Sequence, residues 1–290
     1  MNNLEQAIAY ANKKGWYIFP TREKPSLPFE TEDGIEILPV KSPYTTNGFL
    51  DASRDVDVIK AWWEQHPNAG IGVSCGHSNL VVIDIDTKDG RKGFENFMNL
   101  HVSDEGALHS ITPSGGAHIV YSGQVRSRAN RWAGIDIRSK GAYIVAPPSW
   151  IYDDNGEKSF YIAVDDWERI PVDIPPSLDE KLDKLAGKEK KSSGQKFTKQ
   201  ESPEETIRRV RDALDKIPSQ YCDEYFSWIS VGLALKTLGD SGFELWDAWS
   251  RKSSKYTPKA CTYRWKKFNP NEIGLGTIFY LAKEGGYSGK

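Results

Sequence analysis

Long apolar runs are missing from this chain. Nothing in it approaches the about 20 consecutive apolar residues that a bilayer-crossing helix needs, and Met1-Asn-Asn-Leu-Glu5 does not read as a signal peptide. The expected location is the cytoplasm, without membrane engagement. Cysteine is sparse as well: Cys75, Cys222 and Cys261 are scattered and odd in number, which argues against a disulfide framework. Cys75-Gly-His77 has no second Cys/His pair to complete a tetrahedral set, so no structural zinc is expected. Also absent is the Gly-x-x-x-x-Gly-Lys-Ser/Thr loop that cradles phosphates in ATPases. The nearest fragment, Gly285-Gly-Tyr-Ser-Gly-Lys290, has the wrong spacing, and helicase activity is not assigned to this sequence. Neither sign of charge dominates: 38 Lys and Arg stand against 40 Asp and Glu.

What is present is unevenly distributed. Residues 186–290 hold 19 basic and 13 acidic groups, and residues 1–185 hold 19 and 27. The carboxyl-terminal part is thus the one suited to a phosphate backbone. A chain of 290 residues is large enough for more than one domain. Ala186 to Gln200 is polar, basic and nearly free of large apolar groups, so 186–203 reads as a flexible linker between domains at 1–185 and 204–290. Pro171-Val-Asp-Ile-Pro-Pro176 closes the first domain.

The first domain mixes helical and strand patterns. Helices are expected at Leu4 to Lys14, Val56 to Gln65 and Gly93 to Leu100; strands at Trp16 to Pro20, Gly70 to Ser74, Leu80 to Asp86, His109 to Thr112, Ala117 to Tyr121, Gly134 to Arg138 and Tyr143 to Ala146. That order implies α+β, a sheet with helices packed on it. In the last domain Ser202-Pro-Glu-Glu205 is a helix start, followed by Ile207, Val210, Leu214 and Ile217 at helical spacing. Further helices at Tyr225 to Leu238, Phe243 to Trp249, Lys259 to Phe268 and Thr277 to Lys283 make an all-α bundle.

The chemistry concentrates in three segments. In Leu80-Val-Val-Ile-Asp-Ile-Asp-Thr87 a β-branched run ends in Asp84 and Asp86, two positions apart and so on one face of a strand. Two adjacent carboxylates call for a cation, and oxygen-only donors favour Mg²⁺ or Mn²⁺. In Thr112-Pro-Ser-Gly-Gly-Ala-His118 a Gly-rich turn, able to bring N–H groups close to an anion, delivers His118 into an apolar strand. In Gly134-Ile-Asp-Ile-Arg-Ser-Lys140 a third acid, Asp136, shares its strand face with Arg138, and Lys140 follows. These are parts for metal-assisted phosphoryl or nucleotidyl transfer. The plainer readings are a core histidine at His118 and a strand-edge ion pair between Asp136 and Arg138.

Asp84-x-Asp86, then Ser114-Gly-Gly-x-His118, then an apolar residue before Asp136 resembles the three ordered motifs of the archaeo-eukaryotic primase superfamily, in its bifunctional primase/polymerase branch of phages, plasmids and integrated elements. Lys24-Pro25, Trp62-Trp63, Asn68-Ala-Gly-Ile-Gly-Val73 and Ala146-Pro-Pro-Ser149 add to the resemblance, which spans about residues 5 to 180. It implies a core with a mixed sheet related to the RNA-recognition-motif topology. It also implies two metal ions on Asp84, Asp86 and Asp136, His118 on the incoming NTP or dNTP, and Ser114, Gly115 and Gly116 nearby. Arg138 and Lys140 are further triphosphate candidates by position and charge. Lys24 is a template or nucleotide contact, or a solvated lysine. Some members of the superfamily carry zinc.

Residues 204 to 287 resemble the small carboxyl-terminal domain that follows the catalytic core in mobile-element primases. Its tryptophans read mostly as core. Arg251-Lys-Ser-Ser-Lys-Tyr256 and Arg264-Trp-Lys-Lys267 interleave basic and aromatic residues, so Arg251, Lys252, Lys255, Tyr256, Arg264, Lys266 and Lys267 are candidates to grip nucleic acid, or else a solvated basic face. The function implied is primer synthesis de novo and extension on a single-stranded DNA template, with a helicase that is separate or fused beyond the segment in hand. A metal-dependent nuclease or phosphodiesterase and a noncatalytic single-strand-binding module are the other classes the same residues admit.

Overall fold

Asn2 and Glu5 close a reciprocal capping box, each side chain accepting from the other's backbone N–H, and so start α1 (Asn3–Lys14). After it come β1 (Ile18–Thr21), a hairpin of β2 (Phe29–Thr31) and β3 (Gly34–Glu36), α2 (Val56–Gln65) capped by the Asp55 side chain, β4 (Gly70–Ser74) and β5 (Leu80–Ile85). Then follow α3 (Gly93–Met98), β6 (Leu108–Ile111), β7 (Ala117–Ser122), β8 (Arg128–Trp132), β9 (Ile135–Arg138), β10 (Tyr143–Ala146), a hairpin of β11 (Trp150–Tyr152) and β12 (Lys158–Phe160), β13 (Ile162–Ala163) and α4 (Pro176–Leu185). The last stretch carries α5 (Pro203–Lys216), α6 (Gln220–Asp223), α7 (Tyr225–Lys236), α8 (Gly239–Ser250), α9 (Pro258–Lys267) and α10 (Gly276–Glu284). This computed structural model describes residues 2–32, 34–88, 91–98, 100, 104–132, 134–164, 166–185, 202–268 and 273–288. The segment read as a linker lies outside the described residues up to Glu201; Ser202 caps α5 and Pro203 is its first residue.

Two units result. The first comprises Met1–Asp86, Gly106–Arg131 and Ile135–Asp179; the second comprises Thr87–Glu105, Trp132–Gly134 and Glu180–Lys290. In the first, a three-stranded sheet runs in the order β1-β4-β10 and a six-stranded sheet in the order β13-β6-β7-β5-β9-β8. Every strand pair whose register is described is antiparallel. Apolar side chains of α1 (Ala7, Tyr10) and α2 (Ile59, Trp63) share one core with Ile71 of β4 and Val82 of β5. The Ala146-Pro-Pro-Ser149 segment pins this core together. The Tyr10 hydroxyl donates to the Pro147 carbonyl at 2.9 Å, and the Ile71 N–H donates to the Ser149 hydroxyl at 2.7 Å.

The second unit is all helix around Trp246, which is fully buried, stacks on Trp228 and donates from its indole N–H to the Trp228 carbonyl at 3.0 Å. α3 belongs here, although its pattern was read within the sheet domain. Phe94 of α3 meets Arg264, and Met98 accepts from the Ser230 hydroxyl of α7, so its apolar side finds partners among helices. The fold class is the expected one, an α+β sheet domain followed by an all-α bundle.

Gly242 sets the spacing of α7 and α8: a Cβ there would stand 1.9 Å from the Leu235 carbonyl oxygen. Gly242→Ala gains about 1 kcal/mol of helix propensity. The overlap is with backbone, which cannot rotate aside, so about 1–3 kcal/mol of overpacking should outweigh that gain. A urea melt of the variant should show a lower midpoint; a raised midpoint would mean that the two helices are not held this closely.

Candidate active site

β5 lies between β7 and β9, and the registers bring one residue of each of four strands into a row. Ser110 of β6 is opposite His118 of β7, His118 is opposite Asp84 of β5, and Asp84 is opposite Asp136 of β9. Directly opposed side chains on one sheet face are about 4.5–5.5 Å apart at Cβ, so a hydroxyl, an imidazole and two carboxylates form one line. The chain forms this row because apolar residues alternate around it. Ile83 pairs with Ile119 and Ile137 on the opposite face, which locks the register that aligns the polar row.

Arg138, two residues beyond Asp136 and diagonal to Asp84, closes over the acids. One guanidinium nitrogen is 2.9 Å from Asp136 Oδ2 and 3.2 Å from Asp84 Oδ2, and Arg138 Nε reaches the same Asp84 oxygen at 3.3 Å. The Asp84 and Asp136 side chains are 23% and 17% exposed, enough burial for a pair of like charges to be costly without that cation. Asp86 is half-buried and is the first residue past β5.

His118 is almost wholly buried, its Nε2 3.6 Å from Asp84 Oδ1 and its ring 5.8 Å from that of Tyr161. Burial first, and then the positive charges of Lys41 and Arg138, push its pKa down to about 4 against the opposing pull of Asp84. The imidazole is therefore neutral at neutral pH. Among the described residues its buried Nδ1 meets no hydrogen-bond partner. That nitrogen is an unmet hydrogen-bonding group in the interior.

The turn before His118 is built by packing. The Gly115 N–H donates to the Thr112 carbonyl at 3.0 Å, and the Thr112 N–H donates to that of Gly116 at 3.0 Å. A Cβ on Gly116 would lie 2.0 Å from the Ile85 carbonyl oxygen, so the turn folds directly against the end of β5. Ser114 meets the Thr112 hydroxyl at 3.2 Å. Lys140 is exposed just past β9, and Lys24 is exposed in the loop after β1. Beside Lys24, Arg22 lies over the Tyr44 ring and buried Glu23 accepts from the Tyr44 hydroxyl.

Among the described residues no set of three or more His, Cys, Asp or Glu is gathered as a metal centre. Arg138 instead bridges two of the three acids. The donor set still fits a hard divalent cation: opposed, half-buried carboxylates, oxygen donors only, and a site whose folded form demands positive charge. Sequence reading missed Tyr161, Tyr143 and Lys41, which no motif marks. Only the return of the chain along β13, beside β6, brings Tyr161 to His118.

In the helical unit most of the nucleic-acid candidates are engaged locally. Arg251 binds Asp247 at 2.7 Å, Lys252 binds Asp215 at 3.2 Å, Lys255 donates to the Asp223 carbonyl at 3.1 Å, and the Tyr256 hydroxyl donates to Asp247 at 2.8 Å. Arg264 is a correction. It is fully buried, its guanidinium 5.1 Å from the Phe94 ring centre and 5.0 Å from that of Phe268, so it is part of the core rather than of a surface that grips nucleic acid. Lys266 is exposed and Lys267 half-exposed beside Tyr263.

Two family models match the chain. The one described as "Bifunctional DNA primase/polymerase, N-terminal" covers residues 7–178, and "Primase C terminal 2 (PriCT-2)" covers residues 210–282. Among curated proteins the chain is similar to the putative helicase 121R of Invertebrate iridescent virus 3, with 33% identity over 98 residues, 29% of this chain and 10% of that protein. It is also similar to the putative helicase 022R of Frog virus 3 (isolate Goorha), with 30% identity over 82 residues, 27% of this chain and 8% of that protein. The matched segments thus span a tenth or less of these relatives.

Replacing Arg138 by Gln removes the guanidinium that bridges Asp84 and Asp136. Because Arg138 is about one-third exposed, the metal-free variant should lose about 1–3 kcal/mol rather than the larger cost of breaking a fully buried pair. Mg²⁺ or Mn²⁺ should then raise its melting temperature more than that of the unaltered chain, since the ion no longer competes with the guanidinium. Equal shifts in the two chains would show that these carboxylates do not take the ion.

Proposed function

Since the chain belongs to the bifunctional DNA primase/polymerase family, a family of nucleotidyltransferases, we propose that it makes primers de novo and extends them on single-stranded DNA, in the replication of a phage, plasmid or integrated element. The observation that carries this reading is the row of Asp136, Asp84 and His118 across adjacent strands, with Arg138 over the acids.

Asp84, Asp86 and Asp136 would hold two divalent cations, Mg²⁺ or Mn²⁺, which supply Lewis-acid activation of the attacking 3′-hydroxyl and stabilise the leaving pyrophosphate. The chain's own groups do the rest. Neutral His118 donates one hydrogen bond to the incoming NTP or dNTP from a pocket that excludes water. Ser114, Gly115 and Gly116 form the rim beside it. With Asp84 and Asp136 engaged by a cation, Arg138 would offer its fork to phosphate oxygens, a geometry suited to it. Lys140 and Lys24 stand at the exposed edges as further contacts for nucleotide or template.

De novo initiation requires holding a first nucleotide while the second arrives, so positioning is a large part of the catalysis. Residues 204–290, which share their unit with 87–105, would provide a second binding surface at high local concentration. Arg251, Lys252, Lys255, Tyr256, Lys266 and Lys267 are its contacts to template, through charge and stacking. A helicase, separate or fused, would open the duplex. The viral relatives named putative helicases, far longer than the matched segment, favour a fused arrangement in some members.

With single-stranded template, labelled nucleotides and Mn²⁺ but no primer, the unaltered chain should yield oligonucleotides. Asp84→Ala/Asp86→Ala should lower synthesis about a hundredfold or more, the equivalent of several kcal/mol of lost transition-state stabilisation. Undiminished synthesis by the double variant would refute the assignment, and so would template cleavage with no nucleotides present. Lys266→Glu/Lys267→Glu tests the helical surface without disturbing the packing of α3. It should weaken template binding, flatten the salt dependence of that binding, and reduce primer synthesis more than extension of a supplied primer. Equal loss of both activities would count against a special role in initiation.

A further inference from the structure

Lys41 has no part in the nucleotidyl transfer described so far, yet its surroundings are built with care. Its backbone sits in the left-handed region, at φ 73. A residue with a side chain seldom takes that conformation, and the surrounding hydrogen bonds hold it there. The Lys41 N–H donates to the Arg22 carbonyl at 2.8 Å, and the Arg22 N–H donates to the Ser42 carbonyl at 2.8 Å. The Tyr143 hydroxyl, from β10, donates to the Lys41 carbonyl at 3.3 Å. A bridge between Thr21 and Pro43 fastens the same loop to the end of β1.

This anchoring aims the side chain at the candidate active site. Lys41 Nζ lies 5.8 Å from the centre of the Tyr161 ring, and that ring is 5.8 Å from the ring of His118. Tyr161 immediately precedes β13, which pairs with β6, so Lys41 approaches the imidazole from the β6 side of the sheet. Arg138 approaches from β9, beyond Asp84. The electrostatic influence of Lys41 on His118, in the same direction as that of Arg138, agrees with this proximity. Two cations therefore stand near a buried neutral imidazole, Arg138 across Asp84 and Lys41 beside Tyr161. A triphosphate chain is the substrate part that is both long enough and anionic enough to meet all three groups.

We infer that Lys41 is a further substrate-binding residue, its ammonium pairing with phosphate oxygens of the incoming nucleoside triphosphate on the side of His118 away from Arg138. The inference rests on the nucleotidyl-transfer reading for the identity of the ligand, but an anion site at Lys41 is measurable without catalysis. The backbone suggests the variants. Lys41→Gly and Lys41→Asn both tolerate a left-handed conformation while removing the charge, and Lys41→Arg keeps the charge.

The test is calorimetric titration of the full chain with non-hydrolysable ATP and dATP analogues and with inorganic tripolyphosphate, each with Mg²⁺, beside thermal melts. The glycine and asparagine variants should melt within a few degrees of the unaltered chain and bind all three probes about 10–100-fold more weakly, the range for losing one charge-assisted hydrogen bond. The arginine variant should recover most of the affinity. In synthesis assays the KM for nucleotide should rise while kcat changes less. Unchanged probe affinity in Lys41→Gly, with normal primer synthesis by the unaltered chain, overturns the role of Lys41 and leaves the polymerase reading standing. Lys41-dependent binding by a chain that makes no product does the reverse. No binding of any probe by the unaltered chain overturns both.

Discussion

The catalytic unit depends on a guanidinium set between two carboxylates. Like charges directly across a pair of strands oppose sheet formation. Here the opposition falls at the centre of a six-stranded sheet, between Asp84 and Asp136. The sheet forms because isoleucines and valines around the acids bury on both faces of β5 and because Arg138 supplies the missing positive charge. The same arrangement that lets the strands pair without metal preserves a place for one. Asp84 and Asp136 would be the carboxylates to hold such a cation, which would supply the compensating charge and leave Arg138 to meet an anion.

His118 obeys a related constraint. Held beside Asp84, it would be expected to gain a proton, yet its burial and the cations near it outweigh that single carboxylate. A neutral ring in a closed pocket, one nitrogen without a partner among the described residues, is a donor or acceptor rather than a charge.

Much of this was legible in the sequence because it is written in local patterns. The β-branched run of 80–85 and the alternation in 135–138 fix strands, and period two puts each acid on a known face; α2 runs from Val56 to Gln65, the range its pattern indicates. What escaped was non-local or too short for a pattern. Phe29–Thr31 and Gly34–Glu36 are exposed on every residue, so the hairpin leaves no apolar alternation to read. β13 has two residues, and only its pairing with β6 gives it meaning. Arg264 looked like part of a basic surface because Lys266 and Lys267 stand beside it. Helical geometry turns it inward while Lys266 faces out, and it is received by Phe268 one turn on and by Phe94, distant in sequence. Tyr161 beside His118 was invisible for the same reason: its closeness is a product of chain return.

The membership of α3 in the helical unit also bears on how such proteins can be recombined. Covalent order and spatial order do not coincide, since the segment between β5 and β6 is integrated with helices that begin more than a hundred residues later. A crossover placed in the polar stretch before α5 would import a foreign bundle while leaving the resident α3 behind. Phe94 and Met98 would then have to match a surface that did not co-evolve with them. Exchange of the carboxyl-terminal module between lineages is thus a two-site event, and its inheritance should track the 87–105 insert as well as the tail.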